Sequence, residues 1–103
     1  MAGASLAVIV AADESESDAW IEDCSIASIL LQLTAQSLAL GSCWVQVRMR
    51  KTTAGQSSED YVRKILGAAE NIRVESIIAI GYPAEQKAGV VINELQFEKI
   101  RTI

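Results

Sequence analysis

Few side chains in this chain can do chemistry unaided. Histidine is absent altogether, which removes Ser–His and Cys–His nucleophile pairs and the commonest metal ligand. Cys24 and Cys43 are too few and too far apart for a disulfide framework or a zinc site. Arg48, Arg50 and Lys51 form the one basic cluster. It reads either as a solvated loop or as an anion-contacting loop at the mouth of a cofactor or substrate site. Neither Gly-x-Gly-x-x-Gly nor Gly-x-x-x-x-Gly-Lys-Ser/Thr occurs, so the usual nucleotide-binding signatures are missing. Any reaction is therefore expected to borrow its chemistry from a cofactor. The two most informative segments are 41–47, Gly-Ser-Cys-Trp-Val-Gln-Val, and 77–85, Ile-Ile-Ala-Ile-Gly-Tyr-Pro-Ala-Glu. Each is an apolar strand that meets a punctuating Gly or Pro.

The 103 residues suffice for one domain with a single modest core. Half of them are hydrophobic, a surplus that in a short chain commonly ends in an oligomer interface. The expectation is a homodimer or a larger assembly. A net charge of −4 disfavours nucleic acid, whose phosphates would be repelled. No basic residue precedes the first apolar run, so no secretion signal is expected, and that run is too short to span a membrane. Reduced thiols in a cytoplasmic setting are the simplest reading of the cysteines.

The elements that must position these groups follow from pattern. Residues 6–12, Leu-Ala-Val-Ile-Val-Ala-Ala, read as a strand buried on both faces. A long helix is expected over 19–40, with Ser17 or Asp18 as N-cap and Gly41 at the left-handed C′ position. At ~1.5 Å per residue it would be about 33 Å long. Its apolar residues wrap most of the circumference, which requires burial on several sides, one of them expected to be another subunit. Residues 43–49 read as the second strand, with Trp44 and Gln46 on one face and Cys43, Val45 and Val47 on the other. Ser57 opens a short helix through Leu66 in the Ser-x-x-acid manner, and Gly67 ends it. A third strand runs from Arg73 or Val74 to Tyr82, and 95–103 reads as a terminal strand or arm. Strand–helix alternation alone favours a parallel α/β sheet.

Read in order, several segments together resemble one family. They are Ala7 to Asp13; Trp-Ile-Glu-Asp-Cys-Ser-Ile-Ala at 20–27; Leu-Gly-Ser-Cys-Trp at 40–44; Glu-Asp-Tyr-Val-Arg-Lys-Ile-Leu-Gly at 59–67; Glu-Asn-Ile-Arg-Val at 70–74; and Phe-Glu-Lys-Ile at 97–100. The series is similar to the C-terminal half of the FMN-dependent nitroreductases and covers nearly the whole chain, 1–103. The resemblance implies an α+β fold with a central mixed sheet, largely antiparallel, and a long helix at the dimer interface. It implies a C-terminal arm crossing to the partner's sheet. It also implies FMN held between subunits, taking hydride from NAD(P)H and passing electrons to nitro compounds, quinones or similar acceptors.

Carried over residue by residue, the flavin would run past Trp44, Val45, Gln46 and Val47. Gln46 falls where a group approaches the N5 edge, and its amide can donate and accept there. Val47 stands where many members have Gly, so its Cβ is expected to crowd the ring. Lys87, after Tyr82-Pro83-Ala84-Glu85, is the phosphate-contacting candidate, with Arg48 and Arg50 as others. The resemblance starts at strand 6–12, and the family's earlier Arg-Arg-Ser-x-Arg type motif has no counterpart. A phosphate lacking those cations would be poorly compensated. Three readings remain open: a minimal nitroreductase, a cofactor-free dimeric interaction module, and one half of a split enzyme whose N-terminal half is a separate chain.

Overall fold

A computed structural model describes residues 3–83 and 88–103. Its elements run β1 (Leu6–Asp13), α1 (Trp20–Ser37), β2 (Gly41–Gln46), α2 (Ser58–Leu66) and β3 (Ile72–Gly81), followed by two 3-10 turns at Ile92–Glu94 and Phe97–Lys99. The strands form one sheet in the order β1-β3-β2. Both pairings are antiparallel. This corrects the parallel sheet that alternation alone favours and agrees with the antiparallel character the resemblance implies.

β3, the central strand, is the one buried on both faces, with residues 74–79 all buried. β1, expected to be such a strand, lies at an edge, and its Leu6 is exposed. Its apolar continuity therefore reports something other than burial between two neighbouring strands of this chain. α1 covers one face of the sheet, where Val10, Cys24 and Ile78 form a core with Ala12, Trp20, Leu31, Trp44 and Ile80. α2 covers part of the other face, where Val47, Val74 and Ile77 pack with Ile9, Val45 and Val62. Trp44 and Val45 thus point to opposite faces, as strand alternation requires.

The helices differ from expectation at both ends of α1: its N-cap is Ala19, with no side-chain capping bond, rather than Ser17 or Asp18. Ser57 does cap α2, its hydroxyl accepting from the Asp60 N–H at 3.3 Å, and Gly67 closes it in the left-handed region. α1 instead stops at Ser37, and Ala39 (φ 60°), not Gly41, takes the left-handed conformation. Gly41 opens β2, where a Cβ would lie 3.3 Å from the Pro83 Cα, a tight contact that the neighbouring backbone would have to relieve by a few tenths of an ångström.

α1 carries two opposed stripes. Cys24, Ser28, Leu31 and Ala35, at helical spacing, face the sheet. Ile26, Ile29, Leu30 and Leu33, at i, i+3, i+4 and i+7, are exposed on the other side. The bulkier stripe faces outward, the reverse of an ordinary surface helix. Small residues inside let the helix approach closely: the Ser28 and Ser76 hydroxyls, both fully buried, meet at 2.7 Å. The C-terminal arm likewise leaves Val90, Val91, Ile92, Phe97 and Ile100 exposed, and neither 3-10 turn packs against a strand or helix.

Candidate functional site

The two segments singled out from the sequence lie side by side. β2 pairs with β3 from Gly41↔Gly81 to Gln46↔Ser76. At the Gln46 end the register breaks. β1 skips Glu75 between its Val10↔Ser76 and Ala11↔Val74 pairs, a β-bulge. On the other side the Glu75 carbonyl accepts two backbone N–H groups, from Val47 and Arg48, each at 3.1 Å. This ends β2 and turns the chain. Met49 takes a positive φ of 60°, and its side chain is 81% exposed. The Arg50 N–H bonds back to the Val47 carbonyl at 3.2 Å, and the Arg50 carbonyl accepts from the Ser58 N–H at 2.9 Å. The loop up to α2 is closed by the Lys51↔Ser57 bridge.

An open cleft of about 470 Å³ results, lined by Gln46, Arg48, Met49 and Arg50. The Gln46 amide is fastened from two sides. The Trp44 indole Nε1–H donates to its Oε1 at 3.0 Å, and its Nε2 donates to the Arg48 carbonyl at 3.1 Å. The Arg48 guanidinium donates to the Met49 sulfur at 3.2 Å. Neither Arg48 nor Arg50 forms an ion pair with a described residue. The cleft therefore offers one oriented amide and two guanidiniums, a surface suited to an anionic or acceptor-rich ligand.

Of the four β2-segment residues expected beside the flavin, Trp44, Val45, Gln46 and Val47, Gln46 alone lines this cleft, together with Arg48 and Arg50, the further phosphate candidates. Trp44 packs into the α1-side core, while Val45 and Val47 pack into the α2-side core. The Val47 side chain is buried among Val74 and Ile77, and its N–H is committed to Glu75. Lys87 lies outside the described residues. Met49 is an added member that hydrophobic pattern cannot flag, because its place at the cleft depends on a left-handed turn.

Sequence reasoning also passed over Glu75. The bulge turns Glu75 and Ser76 toward α1 together. Glu75 is 4% exposed, its Oε1 accepts from the Ser25 hydroxyl at 3.3 Å, and its Oε2 has no partner. The signal was present: two adjacent polar residues between Val74 and the apolar run Ile77–Ile80. Burial, followed by the nearby Glu75 and Asp23 carboxylates, pushes the Cys24 thiol above the ordinary thiol range. Cys24 is thereby kept protonated and unreactive. From α2, Glu59 accepts the Val74 N–H of β3 at 2.8 Å, so the helix is tied to the strand beside the bulge. Among the described residues no cluster of His, Cys, Asp or Glu could hold a metal, and no helix is long and apolar enough to cross a membrane.

Comparison with known proteins identifies this frame. The sequence profile of the Nitroreductase family matches residues 1–82. The chain belongs to the nitroreductase family. An Archaeoglobus fulgidus protein, provisionally named an NADH dehydrogenase/NAD(P)H nitroreductase, is 38% identical over 88 residues. That alignment takes in 82% of this chain and 48% of the relative. A Clostridium difficile structure described as an FMN-dependent nitroreductase superposes with a TM-score of 0.89 at 40% identity, covering 96% of this chain and 57% of that one. A Parabacteroides distasonis protein with the same provisional name as the archaeal relative superposes with a TM-score of 0.80 at 30% identity, over 96% and 55% of the two chains. The nitroreductase chain described here thus spans about half the length of the relatives it matches.

Proposed function

We propose that this chain contributes the Gln46 side of a flavin site in a nitroreductase-type oxidoreductase, acting as a homodimer. The observation that carries the reading is the cleft at the end of β2, where an oriented amide stands beside two guanidiniums that have no carboxylate partner among the described residues. Family membership supports it, as does a structural neighbour described as FMN-dependent.

The residues present fit one side of FMN. The Gln46 amide retains one N–H and one oxygen lone pair for a ring edge rich in acceptors. Arg48 and Arg50 supply positive charge for a phosphate, a role that Lys87 would share. Trp44, Val45 and Val47 would form the wall behind the ring through the β2 backbone, because their side chains are packed in the cores. The cleft is open, whereas a cofactor of this size is ordinarily enclosed over most of its surface. The remaining walls would come from a second copy, or from a separate chain carrying the half of the family that these residues do not match. The outward stripe Ile26, Ile29, Leu30 and Leu33 favours the first source and marks where a partner would sit.

When bound, the flavin would supply the redox chemistry, accepting hydride from NAD(P)H and delivering electrons to a nitro compound, quinone or similar acceptor. The chain's own part is to bind and orient. Gln46 would fix the ring edge, the arginines would neutralise the phosphate, and β2 would keep water from one face.

The test is the visible absorbance of the purified protein before and after excess FMN, with free flavin removed by gel filtration. A retained flavin band near one per subunit is the expected result. A colourless protein that retains none would sink the reading for this chain alone and point to the split arrangement.

A further inference from the structure

We infer that Trp44 is a positioning residue: it fixes which way the Gln46 amide faces, and so which hydrogen-bonding group the cleft presents. The inference rests on the flavin reading above and adds to it a residue whose side chain never reaches the ligand.

Asn and Gln amides are close to symmetric in shape, so their orientation is decided by their partners. Both partners of Gln46 are one-way groups. The Trp44 indole N–H can only donate, and the Arg48 backbone carbonyl can only accept. The indole therefore requires the amide oxygen, at 3.0 Å, and the carbonyl requires the amide nitrogen, at 3.1 Å. The opposite orientation would set N–H against N–H and oxygen against oxygen, losing both bonds at once. The indole itself is held in place by packing against the Val10, Cys24 and Ile78 core. The Arg48 carbonyl is held because its residue's N–H, like that of Val47, is anchored on Glu75. The amide is thus locked between a core aromatic and a bulge, and one N–H of Nε2 remains unspent at the edge of the cleft.

Oxidised flavin offers acceptor atoms along much of its ring edge, so a preset N–H donor favours binding. An amide free to turn would present that donor only part of the time. Loss of one hydrogen bond's net contribution, roughly 0.5–1.5 kcal/mol, corresponds to about 2- to 10-fold weaker binding.

The experiment compares the wild type, Trp44→Phe, Gln46→Leu and the double variant, all as the full 103-residue chain, with FMN as the probe. Phe keeps the aromatic body and removes only the indole donor. Two readouts need no turnover. In the flavin-free protein, the indole proton of Trp44 and the side-chain amide protons of Gln46 are followed by NMR. In titrations, the FMN dissociation constant and the flavin's visible spectrum are measured. The expected result is a wild-type indole proton protected from exchange, 2- to 10-fold weaker FMN binding in Trp44→Phe, and no further loss when Trp44→Phe is added to Gln46→Leu. A Trp44→Phe loss equally large in both backgrounds would show that the indole only packs, and would overturn the inference while leaving the flavin reading intact. Failure of the wild type to bind FMN would overturn the flavin reading and this role with it, and the protected indole proton alone would not rescue either. If Trp44→Phe fails to fold, the Gln46→Leu arm and the wild-type indole exchange decide. A rapidly exchanging indole, or Gln46→Leu with wild-type FMN affinity, overturns the inference.

Discussion

The closest test of how α1 meets the sheet is the buried hydroxyl pair. Ser28 and Ser76 are both fully buried, with oxygens 2.7 Å apart, and the Ser28 oxygen lies 2.8 Å from the Cys24 carbonyl. Each hydroxyl has one proton. The carbonyl can only accept, so the Ser28 proton goes to it and the Ser76 proton goes to Ser28. The two alanine substitutions are therefore unequal. Ser76→Ala removes a donor, and Ser28 keeps its bond to the helix; the cost is about 0.5–1.5 kcal/mol. Ser28→Ala strands the Ser76 O–H in the interior and costs about 1–3 kcal/mol. Removing both leaves no orphan, so the double variant should be less destabilised than the sum, with a coupling in the range of roughly 0.5–3 kcal/mol. Urea unfolding read by circular dichroism measures this. At a slope near 2 kcal/mol per molar, a 2 kcal/mol loss moves the midpoint by about 1 M. All four proteins must be compared at one concentration, because assembly would shift the midpoint by mass action. Additive costs, or a larger penalty for Ser76→Ala than for Ser28→Ala, would refute the proton assignment and the pairing.

Four other outcomes are expected. Glu59→Ala should cost about 1–3 kcal/mol because it orphans the fully buried Val74 N–H, whereas Asp60→Ala, which loses only a 3.8 Å pair with Arg63 in which the Asp60 side chain is largely exposed, should stay within about 1 kcal/mol; urea midpoints compare them. Hydrogen bonds from the Ser15 hydroxyl and N–H, with help from Asn71, lower the Asp13 pKa. A carboxylate depressed in the folded state contributes stability above its unfolded pKa, and that contribution is lost as pH falls through the folded value; Asp13→Asn should therefore flatten the dependence of stability on pH below about 4, the ordinary carboxylate pKa. Iodoacetamide should label exposed Cys43 in the native protein and reach buried Cys24 only in denaturant, as counted by mass spectrometry. Leu30→Glu, on the outward stripe of α1, should leave the helical signal intact and shift sedimentation toward monomer, and an unchanged assembly would remove that stripe from the interface.

Much of this fold is written in local pattern, and what is missing from the pattern is tertiary. α2 was legible to the residue because its start and stop are local chemistry: a Ser hydroxyl over an N–H three residues on, and a glycine at a left-handed position. The alternation of Trp44 and Val45 across β2 was legible for the same reason. Strand direction was not, since alternating strands and helices are compatible with either sense, and only the resemblance pointed to antiparallel pairing. The terminal segment 95–103 was expected as a strand or arm and is exposed chain with a 3-10 turn at Phe97–Lys99. A strand needs a neighbour to bond to, and none of the described residues provides one. At the site, Gln46 on the Trp44 face of β2 was legible from strand alternation. The lock on it was not, because it depends on a bulge at Glu75 and a left-handed turn at Met49 that no periodicity encodes.

The exposed apolar surfaces of the chain are best understood as one energetic problem. The four aliphatic residues of the α1 stripe are each about half exposed. Full burial of such a side chain gives about 1.5–3 kcal/mol, so half gives roughly 1 kcal/mol each. A two-fold contact counts every residue twice, which brings the stripe to roughly 6–12 kcal/mol. Lost translational and rotational freedom alone costs an estimated 4–15 kcal/mol. Through α1 only, association is close to balanced. The arm changes this. Val90, Val91, Ile92, Phe97 and Ile100 are all more than half exposed, and covering them on a partner would add a term of similar or greater size. The stripe would set where two copies meet, and the arm would decide whether they stay together. If the wall missing from the cleft beside Gln46 comes from a second copy, as proposed above, FMN retention should fall together with assembly in Leu30→Glu; retention by a monomeric variant would refute that source.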